Sequence, residues 1–420
     1  MTFPISDQGD WRLRRLGELV TIDKGHVVQT QPFASAETVP YIGADSFGGN
    51  YSQFTASPTA VFCEPTDVLM LWDGERSGLC ASGLIGAIGS TVARLRPKSG
   101  IDGRFLYHQL SSHFSWIQAR RTGTGIPHVP KDIALILTIP IPNSQIAQSR
   151  IAAVLDTVDA AITQTEAIIA KLKQVRAGLL HDLLTRGLDE NGQLRPPPAE
   201  APHLYRDSPL GKIPREWRIM AIEHATEKVQ DGTHFSPKST SGPRRYLTSK
   251  NVRFGFLDLS DCGWISEEEH REIFRRCDVR WNDILLTKDG VNTGNAALNH
   301  LLEEFSLLSS VALIRCRPDY SDCYFLLNYL LSPIGQRRLK DLMSGNAITR
   351  LTLQKIKAFL CPIPSFDEQQ GIAIYLKQCS DAIQGLEREK IKLGRLKSAL
   401  MSDLLTGCVR VPADIFKENL

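Results

Sequence analysis

Two stretches of this chain repeat one another more than 200 residues apart. Residues 139–187 read IPIPNSQIAQSRIAAVLDTVDAAITQTEAIIAKLKQVRAGLLHDLLTRG, and residues 361–407 read CPIPSFDEQQGIAIYLKQCSDAIQGLEREKIKLGRLKSALMSDLLTG. Both open on Pro-x-Pro, run on as a long helical pattern and close on Asp-Leu-Leu-Thr, at Asp182–Thr185 and Asp403–Thr406. The offset is 222 from Pro140 to Pro362 and 221 from Asp182 to Asp403, so the copies differ by one residue in length. Weaker echoes precede each copy. WRLRRLGELVTIDKG (11–25) resembles WRIMAIEHATEKVQDG (217–232), DVLMLWDG (67–74) resembles DILLTKDG (283–290), and GTGIPHV (123–129) aligns with GNAITRL (345–351). A period this long excludes a solenoid. It implies a tandem duplication of one unit, a globular domain of ~130 residues followed by one long helix.

The helices carry a heptad. Steps of 4, 3, 4, 3 from Ile151 reach Leu155, Val158, Ile162, Thr165, Ile169, Leu172, Arg176, Leu179 and Leu183. The same steps from Ile372 reach Leu376, Cys379, Ile383, Leu386, Lys390, Leu393, Lys397, Leu400 and Leu404. Eight of ten positions are apolar in each, so the stripe reads as a coiled-coil seam. Two such helices in one chain most simply pair with each other, over ~50 Å for about 35 residues. Arg176 and Lys397 occupy the same step of the two seams. Either their stems pack while the charges reach out to water, or they fix the register of the pair.

The expected organisation is a first globular domain over 1–145, a helix over 146–187, a linker over 188–216, a second globular domain over 217–367, a helix over 368–407 and a tail over 408–420. The segment 189–217 holds six prolines and follows Gly187, a plausible helix stop, so it reads as an extended, semi-rigid connector. In the globular parts, 60–63, 67–72, 283–287 and 309–316 read as strands, and 105–120 and 324–343 as helices, the latter interrupted at Pro333. The fold class is α/β (α+β): duplicated domains joined by two long antiparallel coiled-coil helices about a pseudo-two-fold axis.

Composition narrows the function. Hydrophobic residues are 42% and charged residues 23%, the balance of a soluble globular chain, which excludes wholesale disorder. A formal net charge of +3 excludes a uniformly basic polypeptide, so nucleic-acid affinity must come from local patches. Nine cysteines without a CxxC pair read as reduced thiols that are mostly packed. The N-terminus lacks an apolar signal core, and no run of apolar residues is long enough to span a bilayer. A cytoplasmic protein with no membrane partner is expected.

Sequence signatures of catalysis are missing. There is no Walker A motif, no GxGxxG, no GxSxG and no zinc-ligand spacing. GLIGAIG (83–89) has the wrong glycine spacing for a phosphate cradle and reads as strand and turn. No Asn-Pro or Asp-Pro dipeptide occurs, so the Pro-Pro-aromatic element of amino-group DNA methyltransferases is missing. EREK (387–390) could be half of a nuclease site, but it lies on the heptad helix as a solvated face. The expectation is a chain with no catalytic centre, metal or cofactor of its own.

Local positive charge is present. Residues 232–257 hold Lys238, Arg244, Arg245, Lys250 and Arg253 and no acid. Residues 94–131 hold seven Lys and Arg against Asp102, and 337–357 hold six against Asp341. Such a run is most often a solvated face. Three of them in two duplicated domains point towards phosphate and base contacts.

The DSPLGKIPREW linker, the two Pro-x-Pro-led helices and the paired DLLT endings resemble the specificity (S) subunit of type I restriction-modification systems, over nearly the whole chain. The resemblance implies two target-recognition domains held by an antiparallel helix pair, each reading one half of a bipartite site in double-stranded DNA. It also implies two modification subunits that bring S-adenosylmethionine and methylate adenine N6, and restriction subunits that use ATP and Mg2+ for translocation and cleavage. Two readers about a two-fold axis favour half-sites ~34 Å apart. The dissimilar globular sequences favour an asymmetric target.

Candidate DNA contacts are Arg76 and Lys288 in the aligned Asp-Gly turns, His128 and Arg350 in the aligned second loops, Arg121, and Arg244, Arg245 and Lys250 in the acid-free stretch. The seam is expected to hold the helices and the subunit interface through Ile151, Leu155, Val158, Ile162, Leu172, Leu179, Ile372, Leu376, Ile383, Leu386, Leu393 and Leu400. A self-contained DNA methyltransferase or nuclease, and a coiled-coil scaffold, are the competing readings.

Overall fold

Trp11–Arg15 pairs antiparallel with Thr138–Pro142, and Arg218–Ala221 pairs in the same way with Leu360–Ile363. The first ribbon contains its whole Pro-x-Pro segment and the second ends one residue before Pro364, and each hands the chain to a long helix, Gln145–Thr185 or Phe366–Leu404. The structure, a computed structural model, describes residues 10–123, 125–343 and 350–412. Thr124 of GTGIPHV, 345–349 of GNAITRL and 413–420 of the tail lie outside the described residues.

The chain divides into two units, and the division cuts both helices. One unit is residues 1–167 with 387–420, and the other is 168–386. Each unit therefore contains one globular domain, the first part of the helix that follows it and the end of the other helix.

The two domains share the topology of their main sheet, while the second sheet has four strands in the first domain and three in the second. In the first, a four-stranded sheet runs in the order Val20–Lys24, Val92–Pro97, Val68–Leu71, Cys80–Ser82, all antiparallel. In the second, the order is Thr226–Asp231, Val311–Cys316, Ile284–Thr287, Ala296–Leu298, again antiparallel. A second sheet in each contains one parallel pair, Val39–Ile42 with Gly86–Ile88 and Arg244–Leu247 with Phe305–Leu307. The sequence-predicted strands are all present, and GLIGAIG ends in the strand Gly86–Ile88. The α+β class holds. The helical stretch 324–343 is two helices, Cys323–Leu331 and Pro333–Leu342, with Ser332 capping the second where Pro333 interrupts the first.

A glutamine clips each domain to its helix. Gln148 accepts from the Asp102 amide at 2.8 Å and donates to the Gly100 and Pro142 carbonyls. Gln369 accepts from the Asp322 amide at 2.9 Å and donates to the Tyr320 and Pro364 carbonyls. Both are buried, so each clip satisfies polar groups that water does not reach. The signal was in the sequence, a Gln three residues before the first seam residue of each repeat.

The DLLT endings terminate the helices and dock them. Thr185 and Thr406 donate back to the His181 and Ser402 carbonyls, and Gly187 and Gly407 follow with φ of +65° and +78°. Leu183 and Leu184 enter the core of the second domain with Trp217, Ile222 and Phe325. Leu404 and Leu405 enter the core of the first with Phe105, Ile139 and Ile151. Each helix end is thus built into the domain of the other repeat.

Within each unit the helix segments run antiparallel. In the first, Lys397 Nζ meets Asp159 at 2.5 Å and Lys390 meets Glu166 at 2.8 Å. In the second, Arg176 donates to Ser380 Oγ at 3.0 Å and to Asn328 at 3.3 Å. Arg176 and Lys397 thus both bond across to the facing helix instead of reaching out to water. Every position of the two stripes except Lys390 is buried or partly buried.

The proline-rich segment differs from the expected extended connector. Glu368, on the second long helix with its side chain 8% exposed, accepts from Arg195 at 2.5 Å, from the Leu188 amide at 2.8 Å and from Trp217 Nε1 at 3.1 Å. Tyr205–Arg206 pairs with Ile213–Pro214, and Tyr205 and Ile213 are buried. This carboxylate, shared by Arg195, the Leu188 amide and Trp217, holds the segment against the second domain.

Candidate nucleic-acid interface

The strands Val68–Leu71 and Ile284–Thr287 each end in a turn built around Asp-Gly, Asp73–Gly78 and Asp289–Gly294. The turns have the same backbone. Gly74 and Gly290 have φ of +99° and +100°, and Gly78 and Gly294 have +94° and +95°. The amides of Ser77 and Thr293 bond to the carbonyls of Gly74 and Gly290, and those of Gly78 and Gly294 to Leu71 and Thr287. An L side chain at these φ values is strained, which explains the glycine spacing common to DGERSG and DGVNTG.

The turn aspartates organise their surroundings with opposite charge patterns. In the first domain Asp73 accepts from Lys24 at 2.8 Å and from His128 at 2.7 Å. Burial pushes the Asp73 carboxyl up, but these two partners outweigh it and hold the pKa below the usual range. In the second domain Asp231 stands at the strand end corresponding to Lys24, and Lys288 bridges Asp231 at 3.4 Å and Asp289 at 3.3 Å. Arg350 reaches Asp289 at 2.9 Å. The same second loop is therefore tied to the same turn by His128 in one domain and Arg350 in the other, through matching backbone bridges, Asp73 to His128 and Asp289 to Arg350.

A third loop completes the arrangement. Asp45 and Lys250 occupy equivalent positions, in the turns where Ser46 Oγ and Asn251 Oδ1 accept from the amides of Gly43 and Thr248. Arg76 reaches the Ala44 carbonyl at 3.4 Å and Asp45 at 3.2 Å. Asn292, the equivalent of Arg76, reaches the Ser249 carbonyl at 3.3 Å.

The structure gathers some of the sequence candidates and separates others. Arg76, Arg121 and His128 surround the first turn, Arg121 donating to the Glu75 carbonyl at 2.8 Å. Lys250, Lys288 and Arg350 surround the second. Lys288 differs from the rest, because its side chain is 3% exposed and clamped by two carboxylates. It braces the turn from inside, while Asn292, partly buried beside the fully exposed Val291, is an uncharged turn residue that a search for cations overlooks. Arg244 and Arg245 lie at the far end of the strand Arg244–Leu247. Arg244 meets Glu267 at 2.6 Å and Glu304 at 3.5 Å, and Arg245 bonds Glu303 and lies over the Trp264 ring. With Lys250–Asp261 and Arg253–Asp258, the acid-free run is neutralised by acids that come later in the chain. Arg96 and its counterpart Arg315 are also structural, bonded to the buried Asp67 and Asp283.

All nine cysteines are free thiols, and burial pushes the Cys277 thiol up to about 12, which removes it as a nucleophile at neutral pH. Among the described residues no group of three or more His, Cys, Asp or Glu is placed to hold a metal. Among them no helix is long and apolar enough to cross a membrane.

The model of the type I restriction modification DNA specificity domain matches residues 8–174 and 275–394, well over half of the chain. The chain belongs to this family. It is 25% identical over 411 residues to the type I restriction enzyme MjaVIII specificity subunit of Methanocaldococcus jannaschii, covering 96% of this chain and 93% of that one. The S subunit of a type I system from M. genitalium has the same fold, with a TM-score of 0.61 at 16% identity over 96% of this chain and 99% of that one. A chain from a type I R-M system solved for its complex assembly and conformational transition gives 0.51 at 18% identity, over 97% and 100%. The chain is a specificity subunit of the type I restriction-modification class. The specificity-domain match breaks off between 175 and 274, a span that includes the linker and the start of the second domain.

Proposed function

We propose that this specificity subunit reads an asymmetric, bipartite site in double-stranded DNA, one half with each recognition domain. One observation supports it above the others. The Asp-Gly turns of the two domains share a backbone and meet their neighbouring loops through matching contacts, yet Lys24, Asp45, Arg76 and His128 are answered by Asp231, Lys250, Asn292 and Arg350. Equal scaffolds with different chemistry at their tips suit two different half-sites. Arg76, His128, Arg121, Lys250 and Arg350 are the candidate DNA contacts, with Arg244 and Arg245 as phosphate contacts at the edge. Lys288 contributes through the shape of its turn.

The helix pair is the scaffold for two modification subunits, which bring S-adenosylmethionine and methylate adenine N6. Restriction subunits, where present, bring ATP and Mg2+. The chain carries no catalytic centre of its own and works in the cytoplasm, where its DNA substrate is. The test is methyl transfer from labelled S-adenosylmethionine to genomic DNA, by the purified chain and by its complex with type I modification subunits. Transfer by the complex alone, with label in N6-methyladenine and two modification subunits per chain by native mass, is expected. Transfer by the isolated chain would overturn the assignment in favour of a self-contained methyltransferase.

A further inference from the structure

Resting on that reading, we infer that the fourth residue of the duplicated Asp-Gly turn determines specificity in both domains, with Arg76 reading a guanine in one half-site and Asn292 an adenine in the other. The two positions are equivalent by backbone, since each lies between positive-φ glycines, at +99° and +94° in one turn and at +100° and +95° in the other. They are equivalent by contact as well, each side chain leaning on one carbonyl of the neighbouring loop, Ala44 at 3.4 Å or Ser249 at 3.3 Å. These are long hydrogen bonds, easily exchanged for others. The next residue back is exposed in both, Glu75 in the first turn and Val291 in the second.

Among the candidate cations, Arg76 is lightly held. Its ion-pair partner Asp45 is fully exposed, and its own side chain is 56% exposed. A pair of this kind contributes little in water, so guanidinium is released to a ligand at little cost. Arg244 is instead shared between two glutamates, Lys288 is buried, and Arg350 is tied to a turn aspartate through both backbone and side chain. Arginine donates two parallel hydrogen bonds to O6 and N7 of guanine, and asparagine pairs with N6 and N7 of adenine in the major groove. One scaffold position thus carries the two side chains that distinguish a G·C from an A·T pair.

The experiment is methylome sequencing of cells carrying the full complex with wild-type chain, R76Q or N292R, each substitution scored alone. R76Q is expected to cut discrimination for one G·C pair of one half-site by ~10- to 100-fold, with the other half-site and the spacer unchanged. N292R is expected to move one A·T position of the other half-site towards G·C. Preference is read from whichever sites remain methylated, so a lower yield of complex does not mask it. An unchanged motif, or methylation falling evenly over an unchanged motif as a phosphate contact would give, overturns the inference while the wild-type motif leaves the specificity role standing. A wild-type chain that yields no bipartite motif overturns both.

Discussion

Lys397 Nζ lies 2.5 Å from Asp159 Oδ1, and the 221-residue offset of the repeat maps this pair onto Arg176 and Ser380, which are also bonded, at 3.0 Å. The duplication has kept the cross-helix contact and changed its chemistry, from an ion pair to an arginine–hydroxyl bond. The surroundings follow suit. His108 bonds Asp156 in the first unit, and its counterpart Asn328 bonds Arg176 in the second. Both side chains of the ion pair are mostly buried, so K397M is expected to lower stability by about 1–2 kcal/mol, between exposed and buried ion pairs. D159S should cost less when combined with K397R and H108N, which together transplant the second unit's contacts. Thermal unfolding of the full chain measures this, and strictly additive losses would contradict the equivalence.

Lys288 is expected to behave as a structural residue. K288M leaves Asp231 and Asp289 facing one another without their buried cation, at a cost of about 3 kcal/mol. The melting temperature should fall by several degrees, while the salt dependence of DNA binding by the complex keeps its slope. A shallower slope with unchanged stability would instead make Lys288 a phosphate contact.

Glu368 should control the linker. Its carboxylate collects Arg195, Trp217 and the Leu188 amide with little exposure to water. E368Q weakens all of these at once, with an expected loss of about 3 kcal/mol. Limited proteolysis should then cut within 189–216 well before wild-type does. Equal cleavage rates would mean the segment is held by its prolines and not by this clamp.

His108 gives the first unit a pH response of known sign. Burial lowers its pKa, the Asp156 hydrogen bond raises it, and the net result lies below the ordinary value. An unfolded histidine takes up a proton near pH ~6.5. The folded one resists until lower pH, so its contribution to stability is lost as pH falls from about 6.5 towards the folded value and then levels off. His113 and His300, also lowered by burial, act in the same direction. The difference between wild-type and H108N isolates the His108 share. Melting temperatures at pH 7.5 and 5.5 should spread more widely in wild-type, and an equal spread would show that His108 does not titrate in this range.

The periodic parts of the molecule were legible in the sequence. The heptads, the DLLT stops and the core strands announce themselves within a few residues, because their physics is local. Features joined over long separations were not. Arg195 and Glu368 are 173 residues apart, so the proline-rich segment reads as loose although it is clasped. Arg244, Arg245 and Lys250 look like a bare cationic patch because Glu267, Glu303 and Asp261 come later in the chain. In the candidate interface the loops were found by alignment, but which side chain faces outward depends on the turn's geometry. Lys288 therefore drew the eye ahead of uncharged Asn292, four residues on.

The central claim is that this chain sets the DNA target of a type I modification complex. The most direct measurement is long-read methylation mapping of DNA from cells with and without the chain, the partner subunits being present in both. Loss of one asymmetric, bipartite N6-methyladenine motif on deletion is the predicted result, and it delivers both half-sites and the spacer together. A complex that methylates the same motif without this chain would contradict the account.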